Sequence, residues 1–452
     1  MSPHRYTGQK AVLARMGKFV QTSWFVPGDE ESNQSRRSLI MFNILSNVSA
    51  NLIGGNFFTG LLIVLQADDA FVGLINILVF SANLLQLFTP FILERFERRK
   101  PILIGIRALI HLLNILFVGL IPFMPAAAHT RLVLLGFTVF LVNVLAAFAG
   151  PGFSVWHIAH IPPSVRVQYF SLVNMLNGVF IAVFNLLGSG VVDLFRKEGQ
   201  ELMGLTVLRI FALLLAILDL WRLGTIKELP MQQPARKIRL KAIFVQPWQH
   251  PAFLRSVLVV VLWSIVVNMP GSFYTVYLLK ELGVNYSFIM LVSSLNVVVL
   301  VSFTFIWRRI FLKYSWLKPL SAAILLLAPH YVLLAFVNNQ LLFLYPIAVI
   351  WSFLCTCGIN LAFSSVAFIN IPKENQTLYI GFYSTANFLA ALIAATLARS
   401  FVTSLSGQRF ELLGITIGEK QLLMLVVGLL MVGVGLSIRL IARKNIQEGL
   451  EH

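Results

Sequence analysis

Asparagine recurs in this chain where water should be scarcest. Asn47, Asn51, Asn83, Asn143, Asn177, Asn268, Asn296 and Asn387 each fall near the middle of a long apolar run, and Trp351 holds that place in one more. A carboxamide offers donors and an acceptor without carrying charge. Several of them converging on one cavity would hold an uncharged or zwitterionic polar solute, sugar-like for example, or a moderately amphipathic one. An amide facing hydrocarbon would cost on the order of several kcal/mol, so these side chains are expected to face inward. Any single one could equally serve as hydrogen-bonding glue between helices. Of the set, at least two or three are expected to reach a cavity.

Other residues nearby could do chemistry. Asn43, Asn47 and Asn51 recur every fourth residue, which lines them up on one helical face. Asn268-Met269-Pro270-Gly271 should break or bend a helix and free backbone groups toward a cavity. His111 and His330 are the titratable groups at depth, and a histidine can relay protons near neutral pH; the plainer reading is a hydrogen-bonded packing histidine. Arg107 and Arg399 are expected to reach the inner and outer interfaces with their long stems. Cys355 and Cys357, two residues apart, point to different faces and read as small buried apolar residues. His157 and His160 have no acidic or cysteine partner nearby, so no metal is expected. No nucleophile, phosphate loop or dinucleotide fingerprint appears, and the chain is not expected to be an enzyme.

The elements that must carry these residues are membrane helices. Of the 452 residues 58% are apolar and 12% charged, against about 45–50% and about 25% in a soluble domain. That composition excludes a soluble enzyme, a disordered tail, a collagen and a disulfide scaffold. Apolar runs fall at about 39–65, 70–93, 102–122, 132–152, 169–193, 203–221, 254–279, 287–307, 319–337, 341–362, 379–403 and 421–441. Each is close to the roughly 20 residues a spanning helix needs. The expectation is therefore an all-α polytopic membrane protein with twelve transmembrane helices, numbered here as spans 1 to 12.

A net charge of +17 could indicate nucleic acid or membrane topology. The positions decide for topology. Lys and Arg concentrate in alternate segments: the first 38 residues, the stretch from Arg95 to Lys100, the central segment and Arg308 to Lys318. The intervening loops hold few. Both termini are thus expected in the cytoplasm of a plasma-membrane protein, with no nucleic-acid partner. Five segments follow: a basic tail over 1–38, a six-helix bundle over 39–223, a Pro-containing linker over 224–252, a second bundle over 253–444 and a short tail over 445–452. Residues 10–25 mix Lys10, Arg15 and Lys18 with Leu13 and Phe19, a pattern that could lie on an anionic inner leaflet.

The two bundles look like copies. Lys100-Pro101 opens span 3 and Lys318-Pro319 opens span 9, and Ile161-Pro162 after span 4 answers Ile371-Pro372 after span 10. The loop Pro90-Phe-Ile-Leu-Glu94-Arg95-Phe-Glu97-Arg98-Arg99-Lys100 resembles the signature of the major facilitator superfamily between its second and third helices. Acid and basic residues keep their spacing, while Pro90 and Glu97 replace the two glycines. In the second copy Lys313 keeps its place and the acid is absent. The resemblance implies two pseudo-symmetric six-helix bundles. It also implies that spans 1, 2, 4, 5, 7, 8, 10 and 11 line the cavity and spans 3, 6, 9 and 12 support it. It further implies that Glu94, Arg95 and Arg98, with Arg99, Lys100 and Lys313, hold a gate, to which Pro270 and Gly271 add a bend in span 7.

No carboxylate lies at mid-depth in a cavity-lining span; Asp68, Asp69 and Asp193 fall at outer ends and Asp219 near the inner end of span 6. The function expected is secondary active transport of a small solute by alternating access, acting as monomer. It is expected to use no cofactor beyond a coupling proton or sodium ion. A non-transporting receptor or a lipid-handling or assembly protein on the same fold is the alternative.

Overall fold

Apolar runs without water must close their backbone hydrogen bonds within one segment, and here they do so as helices. The computed structural model describes residues 23–27, 29–88, 96, 98–163, 165–229, 245–314, 316–369, 376–412 and 414–447. Span 1 is Glu30–Val64, span 2 Asp69–Phe88, span 3 Lys100–Phe123, span 4 Ala128–Ala159, span 5 Arg166–Lys197 and span 6 Glu201–Gly224. Span 7 is Pro251–Val267 followed by Phe273–Val276, which continues to Glu281. Spans 8 to 12 are Tyr286–Lys313, Leu317–Ala335, Leu344–Ile369, Gln376–Ser404 and Glu419–Gln447.

Among the described residues ten helices are long and apolar enough to cross a membrane. Span 8 counts as an eleventh when Tyr286–Leu300 and Ser302–Lys313 are taken as one span bent by 47°. Pro251–Val267 is a shorter apolar helix at the seventh place. The chain is thus a helical, multi-pass membrane protein.

Helices run past their apolar cores where polar ends find partners. Span 1 begins at Glu30, nine residues before the apolar run at Leu39. That extra stretch buries Asn33, Ser35, Arg36 and Ser38. Arg36, 1% exposed, donates from Nε to the Trp24 carbonyl at 2.8 Å and from Nη1 to the His160 carbonyl at 3.3 Å, and pairs with Asp29 at 3.2 Å. Outside the spanning segment, the Ser32 hydroxyl and then Arg36 hold the Asp29 carboxyl below its usual range. His160 Nε2 meets the Lys227 carbonyl at 2.8 Å, and Lys100 Nζ donates to the Gly224 and Ile226 carbonyls at 2.8 and 2.6 Å. Residues 24–27 and 29–36, the loop after span 4 and the first residues of the linker therefore meet at one end of the molecule, the linker end. Of the expected amphipathic stretch 10–25, only Ser23, Trp24 and Phe25 are described.

At the far end, an unexpected hairpin joins spans 11 and 12. Strand β1, Arg409–Leu412, pairs antiparallel with β2, Ile415–Gly418, with Arg409 opposite Gly418. Between the ends, spans 9 and 12 pack closely through small side chains, with Ala323, Ala335 and Ala442 at 0% exposure. Tyr274 and Tyr277 of span 7 donate to the Leu334 and Val337 carbonyls at 3.1 and 2.7 Å, which moors that broken span to span 9.

Candidate functional site

Each asparagine of span 1 ties its amide nitrogen to its own helix. Asn43 donates to Leu39 O, Asn47 to Asn43 O and Asn51 to Asn47 O, at 2.8, 2.7 and 2.9 Å. One N–H of each amide is thereby used, which leaves its second N–H and its Oδ1 as further hydrogen-bonding capacity. Asn51 is exposed although Val48, Leu52 and Ile53 around it are buried. Asn143 of span 4 repeats the arrangement on Val139 O at 2.8 Å, and Asn268 of span 7 on Ser264 O at 2.8 Å. The Ser264 hydroxyl donates to the Asn387 carbonyl at 3.0 Å, which joins span 7 to span 11 beside Asn268. Asn83 and Asn387 are half-buried and Asn296 is exposed; the Asn177 Oδ1 is buried without a hydrogen-bond partner.

Trp351 differs from the rest. Its Nε1 donates to the Leu326 carbonyl of span 9 at 2.6 Å, so the indole bridges span 10 to span 9. Sequence spacing gave its depth and left the neighbouring helix undetermined. Exposed Asn174 on span 5 was not singled out from the sequence, because it lies off the mid-span depth used to choose the others.

Span 7 breaks where expected. Pro251–Val267 ends at Asn268, and Met269–Ser272 turn before helix resumes at Phe273. Gly271 takes φ +46°, a left-handed conformation that glycine adopts readily. A Cβ there would lie 2.6 Å from the Asn76 Nδ2 of span 2. Beside this turn the two halves touch: Ser272 Oγ donates to Asn76 Oδ1 at 3.5 Å, and Thr275 Oγ1 to Asn56 Oδ1 at 3.1 Å.

The far end is closed by further contacts between the halves. Asp193 of span 5 accepts from the backbone N–H groups of Tyr286 and Ser287 at 2.9 and 2.7 Å, capping the start of span 8. Arg196 donates to the Val284 and Leu279 carbonyls at 2.9 and 2.8 Å. The Tyr286 hydroxyl donates to Glu201 at 2.7 Å, and its ring stacks on Phe57 of span 1 with centroids 5.9 Å apart. Gly60 makes room for that ring, since a Cβ there would run into the tyrosine oxygen. Lys420, 5% exposed, meets Asp69 of span 2 and Glu281 of span 7, each at 2.7 Å, and Glu419 at 2.9 Å. Arg399 Nε donates to Ala70 O at 2.8 Å. None of these cross-half pairings was legible from the sequence, which showed only charges at helix ends.

At the linker end the expected gate residues fall into three groups. Glu94 and Arg95 lie outside the described residues. Arg98 is exposed, while Arg99 is buried and donates from Nε to Phe96 O at 3.2 Å. Lys100 anchors the linker as described above, within the first half. Lys313 is exposed with its ammonium 5.4 Å from the Tyr314 ring centroid.

The deep histidines part company. His330 Nδ1 meets the Ala348 carbonyl of span 10 at 2.8 Å. His111 Nε2 lies 2.6 Å from Asp219 Oδ2 of span 6, which also accepts from Arg107 Nε at 3.1 Å. Arg107 donates to Ser46 Oγ of span 1 as well. Arg107 is thus partnered inside the first bundle rather than extended to the interface, because Asp219 and Ser46 lie within its reach.

The sequence matches the family profile described as Major Facilitator Superfamily over residues 39–395. No curated protein is similar to it in sequence. Solved structures share its fold at low identity. A mutant of the nucleoside transporter NupG superposes with a TM-score of 0.68 at 12% identity, covering 89% of this chain and 98% of that one. A bacterial homologue of the iron transporter ferroportin, in an inward-facing state, gives 0.67 at 13%, covering 89% and 98%. A D-xylose-proton symporter gives 0.62 at 13%, covering 90% and 96%. With the profile spanning most of both helical halves, and the same helical arrangement found in those structures, the chain belongs to the major facilitator superfamily.

Proposed function

We propose that this protein is a secondary active transporter. It carries a small neutral, zwitterionic or amphipathic solute between two six-helix halves by alternating access, coupled to an ion. The observation that carries this reading is a recurring arrangement of mid-span amides. Asn47, Asn51, Asn143 and Asn268 each spend one N–H on a carbonyl of their own helix, which leaves the amide oxygen with capacity to accept from a solute's hydroxyl, amide or ammonium donors. The nucleoside transporter and the D-xylose-proton symporter among the structural neighbours agree with a polar solute as cargo.

The linker end is then cytoplasmic, and the conformation described, shut at the far end, faces inward. Asn268, Pro270 and Gly271 act as the bend through which span 7 changes shape, and the cluster at Asp193, Arg196 and Tyr286 holds the outer side closed. Glu94, Arg95, Arg98 and Lys313 would engage at the inner side in the opposite state. The protein acts as a monomer in the plasma membrane, its basic segments toward the anionic leaflet.

Purified protein in liposomes loaded with a pH-sensitive dye tests this reading. Sugars, nucleosides, amino acids and amphipathic drugs are added in turn under an imposed pH gradient. Saturable flux for one class, weakened several-fold in Asn51→Leu, is expected, since a lost hydrogen bond to the solute is worth about 0.5–1.5 kcal/mol. Absence of both proton flux and labelled-solute uptake across the panel would abandon transport as the function.

A further inference from the structure

One fully buried charge has no part in the cavity or the outer closure. Asp219 is 0% exposed on span 6. Both of its partners, Arg107 Nε at 3.1 Å and His111 Nε2 at 2.6 Å, use the same oxygen, Oδ2. Its Oδ1 is buried with no hydrogen-bond partner among the described residues. A carboxylate with a bare oxygen is poorly solvated for a permanent anion. Immediately after His111 the helix widens into a π-helical stretch, Leu112–Phe117; such insertions are rare and recur at functional sites.

We infer that Asp219 and His111 form a proton-binding pair whose occupancy is communicated to span 1 through Arg107 and Ser46. This inference rests on the transporter reading and names the site of its coupling ion. With a neutral imidazole the three groups carry no net charge. One added proton leaves a net positive charge in a site with little water, where it is costly. An imidazolium then competes with Arg107 for Oδ2. Arg107 is the member with a way out, its side chain being 19% exposed. It also holds Ser46 and lies 5.8 Å from the Phe42 ring centroid, both on span 1. Ser46 adjoins Asn47, and span 1 breaks at Gly54 farther along, so its inner segment can respond to Arg107 by moving the cavity face.

The charged groups on the neighbouring elements are engaged elsewhere. On span 6, Arg222 lies over the Trp221 ring at 4.4 Å and Arg209 donates to Asn114 O at 2.9 Å. On span 1, Arg36 pairs with Asp29 at the linker end, where Arg37 and Lys100 also lie. On span 4, His157 meets the Tyr169 hydroxyl and His160 the Lys227 carbonyl. On span 5, Asp193 and Arg196 serve the far end.

The test needs no solute. Asn56→Cys and Thr275→Cys, in a background with Cys355→Ala and Cys357→Ala, place a disulfide reporter across the far end. Oxidative crosslinking of the protein in liposomes is followed from about pH 8 to about pH 5.5, the range over which a histidine titrates. Acid also protonates the reporter thiols and slows their oxidation in every variant. Each profile is therefore divided by that of the Asp219→Asn/His111→Gln double variant. Proton binding weakens the arrangement described here, so the wild-type ratio should fall about threefold on acidification. Asp219→Asn and His111→Gln should each flatten that response, while His330→Gln leaves it intact. Thermal unfolding of each variant separates loss of response from loss of fold. A flat wild-type profile, or a full response in both Asp219→Asn and His111→Gln, would overturn the inference. A pH response retained while no solute moves in the flux panel would instead remove the transporter reading and leave a proton-sensitive membrane protein.

Discussion

His111 and His330 occupy near-equivalent depths in the two halves, ten and eleven residues beyond Pro101 and Pro319, and their surroundings differ completely. His111 is drawn into a charged trio with Asp219 and Arg107 that links spans 1, 3 and 6. His330 meets a backbone carbonyl of span 10 and packs its ring 4.7 Å from Tyr331. One half keeps charge in its supporting helices and the other has only a neutral contact at that position. A repeat can therefore preserve helix order and depth while assigning different electrostatic work to matching positions.

The largest way to break this comparison is Asp219→Ala. Leaving Arg107 and His111 without their anion in a buried site should cost about 3–5 kcal/mol, measurable as reduced thermal stability in detergent. The same loss should not follow any single substitution at the second histidine. His111→Ala comes next, at about 1.5–3 kcal/mol for a hydrogen bond to a charged group, against about 1 kcal/mol for His330→Ala. Equal losses at the two positions would erase the distinction.

Gly271→Ala tests the seam between the halves. A left-handed φ and a 2.6 Å approach to Asn76 should together cost about 1–2 kcal/mol. The effect should appear as weaker crosslinking between positions 56 and 275 more than as global unfolding. The smallest effect is expected at Asp29. Its carboxyl titrates below the ordinary value of about 4 because Ser32 and Arg36 favour the ionised form. Its contribution is complete above that ordinary value and is lost as pH falls through the lowered one. Asp29→Asn should abolish this acid-dependent part of the Trp24 fluorescence signal, with a stability change under about 1 kcal/mol because the carboxyl partner is solvent-exposed.

Much of the architecture was legible because a bilayer imposes helix length and self-satisfied backbone. Among the described residues ten of the twelve apolar runs contain helices long enough to span, the eighth joins them when its bent halves are taken together, and the seventh is a shorter helix interrupted at the Pro-Gly pair. The asparagine stripe on span 1 followed from spacing alone, since i, i+4 geometry is local. What escaped was long-range. Asp219 read as a charge near a helix end, and nothing in the chain announced a partner 108 residues earlier. Trp351 read as a mid-span aromatic, but depth does not say which neighbour it meets. Asp193 read as a carboxylate at an outer helix end, although it and Arg196 bind backbone groups of the other half. Pairings across bundles depend on how two preformed units dock, and no local periodicity encodes that.

The Asp193 cap on span 8 bears on reversibility. The groups it covers are the first backbone N–H groups of a helix, at the rim of the molecule, and water can take its place as soon as the rim parts. Opening therefore exchanges one set of hydrogen bonds for another rather than stranding donors in a dry interior. A seal made this way favours one state by only a few kcal/mol, which is the range in which a modest differential affinity is enough to invert the populations.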